Sequence, residues 1–426
     1  MKNKYITSMQ IKKQGFSIVE LMIALLIGLI LLTGLVTVFN TSSKMSRTQN
    51  GLARIQENGR YVLSLMRDQV SQAGYASCFA EKEESPVLGG PINPSLPPPP
   101  AALASTKIAW NIQSANFVPG LPLETTASGQ VAFDPGFLLF GHECDASGNC
   151  IPALTDPGAD ISANVPPVGT GDGDRIAGTD VLTVRYLRGG REVAFVNSST
   201  NTITLTAFAS ANPPSTVPTS GQVLLMSCEN ISPSVMNIVS IGSGVITTAQ
   251  SPPNMSKLPK IYNLQRDFVN VTYYVANNIV DGRSIPTLYS SFNGATNAVI
   301  EGVDAFDVIY GVKDGFSNTM YINAGEVQNA LTPLNCWPAP ELLGGVSGAT
   351  GVMTNVAGCG WRSVATVEIH LLLNTIYNSS TQDVAFRYSQ FGSGEYQTSD
   401  LASAIPHYKM HRKEFTATIA LKNIIH

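Results

Sequence analysis

The stretch KKQGFSIVELMIALLIGLILL, residues 12–32, decides how this chain is organised. Two lysines and a Gly-Phe pair lead into an apolar run whose only charge is Glu20. From Phe16 to Phe39 the run covers 24 residues, enough as one helix to cross a hydrocarbon core of about 30 Å. Lys2, Lys4, Lys12 and Lys13 precede it with no acid among residues 1–15. By the positive-inside rule that end stays cytoplasmic and the rest is exported. A secretory signal peptide has a shorter apolar core and a small-residue cleavage site, whereas helical patterning here continues past the run. A plain membrane anchor explains Glu20 alone, as an acid snorkelling near a helix N-terminus. It does not explain Gly15-Phe16.

Beyond the run, Leu52, Ile55, Gly59, Val62, Met66, Val70 and Ala73 recur at three- and four-residue steps and define one apolar face. No proline interrupts residues 16–75. One helix of about 60 residues, roughly 90 Å long, is therefore expected over 16–75. Its first part, 16–39, spans the membrane, and its second part needs a surface to pack on. Residues 76–175 read as an irregular, loop-rich insertion. Pro94–Pro100 in it suits a short polyproline II segment. From 176 to 426 the pattern is that of strands: Leu182, Val184 and Tyr186 alternate with Thr183 and Arg185, and Phe415, Ala417, Ile419 and Leu421 form the last alternation.

The composition agrees with an extracytoplasmic, β-rich body, since charged residues are only 13% and glycine and proline are abundant. Setting aside the four lysines before the apolar run leaves 22 of the 26 basic residues against 30 acidic ones, a net −8. Such a body, taken as a whole, has no electrostatic reason to bind nucleic acid or an anionic membrane surface. All six cysteines lie beyond the run, which suits disulfides in an oxidising compartment. Sequence proximity pairs Cys144 with Cys150 and Cys336 with Cys359, leaving Cys78 for Cys228, out of 15 connectivities that six cysteines allow.

Lys12-Lys13-Gln14-Gly15-Phe16-Ser17-Ile18-Val19-Glu20 resembles the class III signal of type IV pilins and pseudopilins. The resemblance implies a leader of residues 1–15, cut by prepilin peptidase between Gly15 and Phe16, with N-methylation of Phe16. It also implies that Glu20, the fifth mature residue, pairs with the N-terminal amine of a neighbouring subunit during assembly. Gln56-Glu57-Asn58-Gly59-Arg60, followed by Ala73-Gly74-Tyr75, resembles the PilW-type minor pilins, and so does the tail from Arg412 to Asn423. The implied fold is α+β and type IV pilin-like, with a long N-terminal helix packed on an antiparallel sheet carrying large loop insertions. The implied role is a minor pilin that helps initiate a type IV pilus and sits in its tip complex. Its partners would be other minor pilins, the major pilin and a tip adhesin. It would lie in the inner membrane, body periplasmic, before reaching the pilus tip at the cell surface. A minor pseudopilin of a type II secretion system shares the same N-terminus.

A membrane-anchored periplasmic enzyme or binding protein is the reading of another class, and the residues offer it little. Gly169–Asp174 is glycine-rich but follows prolines and opens no helix, so it fails as a phosphate loop. Asp172, Asp174 and Asp180, or Asp145, Ser147 and Asn149, are weak calcium candidates without the EF-hand spacing. His407 and His411 stand four apart but run into a strand. His370 is expected on a polar strand face with no special role. No cofactor, metal or catalytic residue is expected.

Overall fold

A computed structural model describes residues 17–75, 138–155, 164–206, 222–226, 234–242, 244–249, 251–252, 259–263, 267–313, 319–329, 361, 364–380, 382–401, 405 and 409–422. Helix α1 runs from Ile18 to Val70, 53 residues, which is about 80 Å at 1.5 Å per residue. Ser17 caps it by accepting from the Val19 N–H at 3.3 Å, while Glu20 turns back to accept the Ser17 N–H at 3.1 Å. The two side chains satisfy donors that the first turn leaves without intrahelical partners. The regular helix stops short of Tyr75 because the chain turns through Ser71–Gly74, with Gly74 at φ +72°, a left-handed conformation that glycine adopts at little cost.

Two antiparallel sheets and a closed barrel make up the rest. The first sheet has the order β12-β11-β10-β3-β1-β2, built from β1 Leu139–Cys144, β2 Cys150–Ile151, β3 Val181–Leu187, β10 Phe268–Val280, β11 Arg283–Phe292 and β12 Ala295–Glu301. The second has the order β14-β13-β15-β16, from β13 Val303–Lys313, β14 Thr319–Ile322, β15 Val364–Asn374 and β16 Arg412–Ala420. A short helix α2, Ala324–Asn329, follows β14. Between β3 and β10 the chain forms a six-stranded barrel of β4 Arg191–Asn197, β5 Thr202–Leu205, β6 Gln222–Met226, β7 Ser234–Gly242, β8 Val245–Thr248 and β9 Lys260–Asn263. The barrel encloses its own core, including Val196, Ile203, Leu225 and Ile246. Because β3 and β10 pair directly, Leu187 opposite Phe268, the barrel occupies the place of a hairpin loop.

The main core joins the buried face of α1 to both sheets. Ile55, Val62, Met66, Val70 and Ala73 enter it beside Leu182, Val184, Val308, Ile369 and Ile419. The three- and four-residue spacing read from the sequence is thus the packed face, while the apolar residues from Ile18 to Phe39 stay exposed. This long apolar helix with antiparallel sheets is the expected α+β arrangement. Two details differ from the expected organisation. The strands β1 and β2 fall within the stretch read as irregular, since the turn residues between Cys144 and Cys150 masked the alternation on either side. Thr183 and Arg185, set on the face opposite the core residues of β3, are themselves buried. Thr183 meets the Thr272 hydroxyl at 2.9 Å, and Arg185 Nε donates to Asn270 Oδ1 at 3.3 Å, so polar partners make burial of that face tolerable.

Candidate functional site

The exposed half of α1 presents an almost wholly apolar surface, with Leu21, Leu25, Leu29, Leu32 and Phe39 all more than half exposed. Among the described residues it is the one helix long and apolar enough to cross a membrane. Glu20 interrupts that surface near its start. Its carboxylate points to the helix N-terminus through the Ser17 N–H, beside where a cleavage after Gly15 would create a new ammonium group. Gly15 and Phe16 themselves lie outside the described residues.

Two of the motifs noted in the sequence hold α1 to the body. At Gly59 the helix has no side chain because the Phe415 ring of β16 lies against it; a Cβ there would come within 2.5 Å of that ring. At the helix end, the Gly74 N–H donates to the Arg185 carbonyl at 3.0 Å and the Leu187 N–H donates to the Tyr75 carbonyl at 2.8 Å. Ala73 is buried beneath them. Tyr273 donates to Gln69 from β10. The helix motif and the tail motif are therefore two sides of one contact, a pairing that spacing alone does not reveal. Gly59→Ala should gain about 1 kcal/mol of helix propensity and lose more to overpacking, about 1–3 kcal/mol. The expected result is a lower melting temperature for the full chain in detergent, restored when Phe415→Leu is added. An unchanged melting temperature would show that the ring yields freely.

Asp180 links the two sheets. Its N–H donates to the Phe306 carbonyl at 2.8 Å, and its carboxylate accepts from the Cys144 N–H at 3.1 Å and the Val308 N–H at 2.9 Å. Burial, then the charges of Asp307 and Glu143, raise its pKa well above the carboxylate range, although both backbone bonds oppose this. Burial, with Asp307 and Glu326, pushes Glu143 up to about 7. Burial pushes Asp307 up to about 6 against the hydrogen bond from Tyr388. These raised values stabilise the fold below the unfolded carboxyl range, and that stabilisation is lost as pH rises through 6 to 7. Buried His142, lowered to about 4 by desolvation, acts oppositely and loses stability as pH falls below its usual 6.5. With three carboxyls against one imidazole, the melting temperature should rise as pH is lowered from about 8 to 5.5. Glu143→Gln should flatten that rise; a steeper dependence in the variant would contradict the assignment.

The sequence candidates for other chemistry that fall among the described residues make the following contacts. Asp145 Oδ1 accepts the Ser147 and Asn149 N–H groups, closing the turn between Cys144 and Cys150, which are joined as a disulfide. Asp174 accepts from Gly171, and Asp172 from Ile279. Among the described residues no cluster of His, Cys, Asp and Glu is arranged to hold a metal. His411 meets the Ser379 hydroxyl at 2.8 Å, while His407 lies outside the described residues. Cys78, Cys228, Cys336 and Cys359 lie there too, as does Pro94–Pro100. His370 is a correction. It is buried, 3.0 Å from Glu414, 3.1 Å from Glu368 and 2.9 Å from the Ser389 hydroxyl. Strand alternation gave its face correctly but carried no sign of the segment 386–391 that covers it.

Residues 272–423 match the family model of Type IV Pilus-assembly protein W. Residues 11–36 match that of the prokaryotic N-terminal methylation motif. The first match begins in β10 and ends beyond β16, so it includes the strand that receives Gly59; the second includes Gly15, Phe16 and Glu20. Neither the curated proteins nor the solved structures give a significant match.

Proposed function

We propose that this PilW-type, pilin-like protein is a minor pilin that helps initiate assembly of a type IV pilus and remains in its tip complex. The observation that carries the reading is the exposed apolar half of α1 with Glu20 at its head, rigidly continued into a body by a buried helix face. Prepilin peptidase removes residues 1–15 and methylates Phe16. The inner-membrane helix then slides into a bundle of like helices, where Glu20 meets the terminal amine of a neighbour. Two opposite charges that meet in an apolar setting remove a penalty each suffers alone, which rewards one register. The body supplies lateral contacts to other minor pilins, the major pilin and a tip adhesin. Its role is structural, not catalytic.

A large acidic body inserted at every position would crowd a filament, so the protein belongs at low copy number near one end. Quantitative mass spectrometry of sheared pili should find it far below the major subunit, with an N-terminal peptide starting at methylated Phe16. Abundance close to that of the major subunit would overturn the tip assignment. Loss of the gene should reduce pilus number; a defect confined to protein secretion would instead favour a type II secretion pseudopilin.

A further inference from the structure

We propose that the base of the body, where α1 enters it, is a cationic collar that rests on the phospholipid headgroups of the membrane α1 crosses. The inference relies on the membrane-anchored reading of α1 and adds a second attachment. The base is built from two short segments. Thr48 of α1 donates to the Ser379 carbonyl at 2.8 Å, and Gly51 packs on Thr375. The Ser379 and Ser380 N–H groups both donate to the Lys409 carbonyl at 3.0 Å, and the Ser379 hydroxyl meets His411. Residues 375–380 and 409–411 thus form one surface beside the helix.

Cations gather there although the body as a whole is acidic. Lys44 lies one turn before Thr48 on the same helix face, so it stands between the base and the apolar run; Arg47 is beside it, and both are exposed. Lys409 is exposed on the joined segment. The Arg283 guanidinium sits 5.2 Å above the ring of Tyr377 and donates to the Ile376 carbonyl at 2.9 Å. Tyr377 is 59% exposed, an amphipathic ring of the kind found at membrane interfaces. No acid occurs between Phe39 and Gln56, while Asp281 lies two residues from Arg283 and exposed Asp383 lies three residues beyond Ser380.

The heights agree. At 1.5 Å per residue, Lys44 is about 7 Å and Thr48 about 13 Å beyond Phe39. The headgroup layer extends about 5–7 Å past the hydrocarbon, and a typical helix tilt of about 20° lowers one side of the body towards it. Long lysine and arginine side chains reach across the remaining gap. Anionic phosphates attract such a juxtamembrane cluster over roughly a Debye length. The occupant is the lipid surface because the collar seats on the same helix shortly beyond its apolar run and carries the charge opposite to that of the phosphates.

The test places a photo-crosslinking residue at exposed Asn378 of the full chain in lipid nanodiscs. Phospholipid adducts should be roughly tenfold more abundant in discs containing phosphatidylglycerol than in phosphatidylcholine discs. They should fall to the level of a control crosslinker at Val239 on the barrel in about 1 M salt, and likewise in a variant carrying Lys44→Glu, Arg47→Glu and Lys409→Glu. Equal adducts in both discs, or capture of a protein in native membranes with no lipid adduct, would overturn the collar. Failure of the chain to enter discs at all would overturn the membrane reading itself, an outcome separate from the first.

Discussion

Glu20→Ala should leave the chain processed and membrane-inserted, yet cut its recovery in sheared filaments by roughly a hundredfold. An unmatched buried charge costs about 3–5 kcal/mol, and each 1.4 kcal/mol is tenfold. On the proposed docking, the variant would leave the neighbour's ammonium without its carboxylate in an apolar bundle. Loss of the helix cap is a smaller effect, about 1 kcal/mol, and it acts at an end where Ser17 still accepts from Val19. Glu20→Gln separates the two, since it keeps a capping oxygen but no charge. If charge pairing sets the register, Gln behaves like Ala. The measurement is the ratio of filament to membrane protein. Wild-type recovery of either variant would remove Glu20 from the assembly mechanism.

Asp304→Ala should destabilise the body by about 3–5 kcal/mol. Arg412 Nε donates to Asp304 Oδ2 at 2.6 Å, and both side chains are wholly buried. Asn374 Nδ2 donates to the other carboxylate oxygen at 2.6 Å, and the Phe386 ring lies 5.7 Å from the guanidinium. The three polar residues cross β13, β15 and β16 in one line, Arg412 standing opposite Asn374 in the ladder. Removing the carboxylate takes the charged partner of Nε away from a guanidinium that burial has already stripped of water. Adding Arg412→Met should recover much of the loss, because an apolar replacement of a whole buried pair is close to neutral. Denaturant midpoints for the single and double variants check both statements. A loss below about 1 kcal/mol for Asp304→Ala would show that water reaches the pair.

These cases show which parts of the molecule were legible in sequence. The buried face of α1 was, because a 3.6-residue period records contact directly: Ile55, Gly59, Val62, Met66 and Val70 are the buried helix residues. The final strand was, because Ala417 and Ile419 alternate with exposed threonines. Pairings between distant segments were not. Nothing local to Arg412 announces Asp304, and nothing near Gly59 announces Phe415, although each lies in or beside a recognisable motif. The barrel was also missed. Its strands look like those of the sheets, and closure depends on pairing partners that alternation does not encode. His370 was misread for the same reason, its cover coming from a loop with no periodic signal.

The barrel's position has a consequence for how the chain tolerates insertion. Its chain leaves β3 and rejoins β10 at neighbouring points, where the Arg188 N–H donates to the Asp267 carbonyl at 2.8 Å. A graft of any size at that doorway leaves the sheet register and the helix seat untouched, because the entropy of closing a loop rises only slowly with its length. The same doorway offers an insertion point for a reporter domain that tracks the protein without disturbing the elements that anchor it.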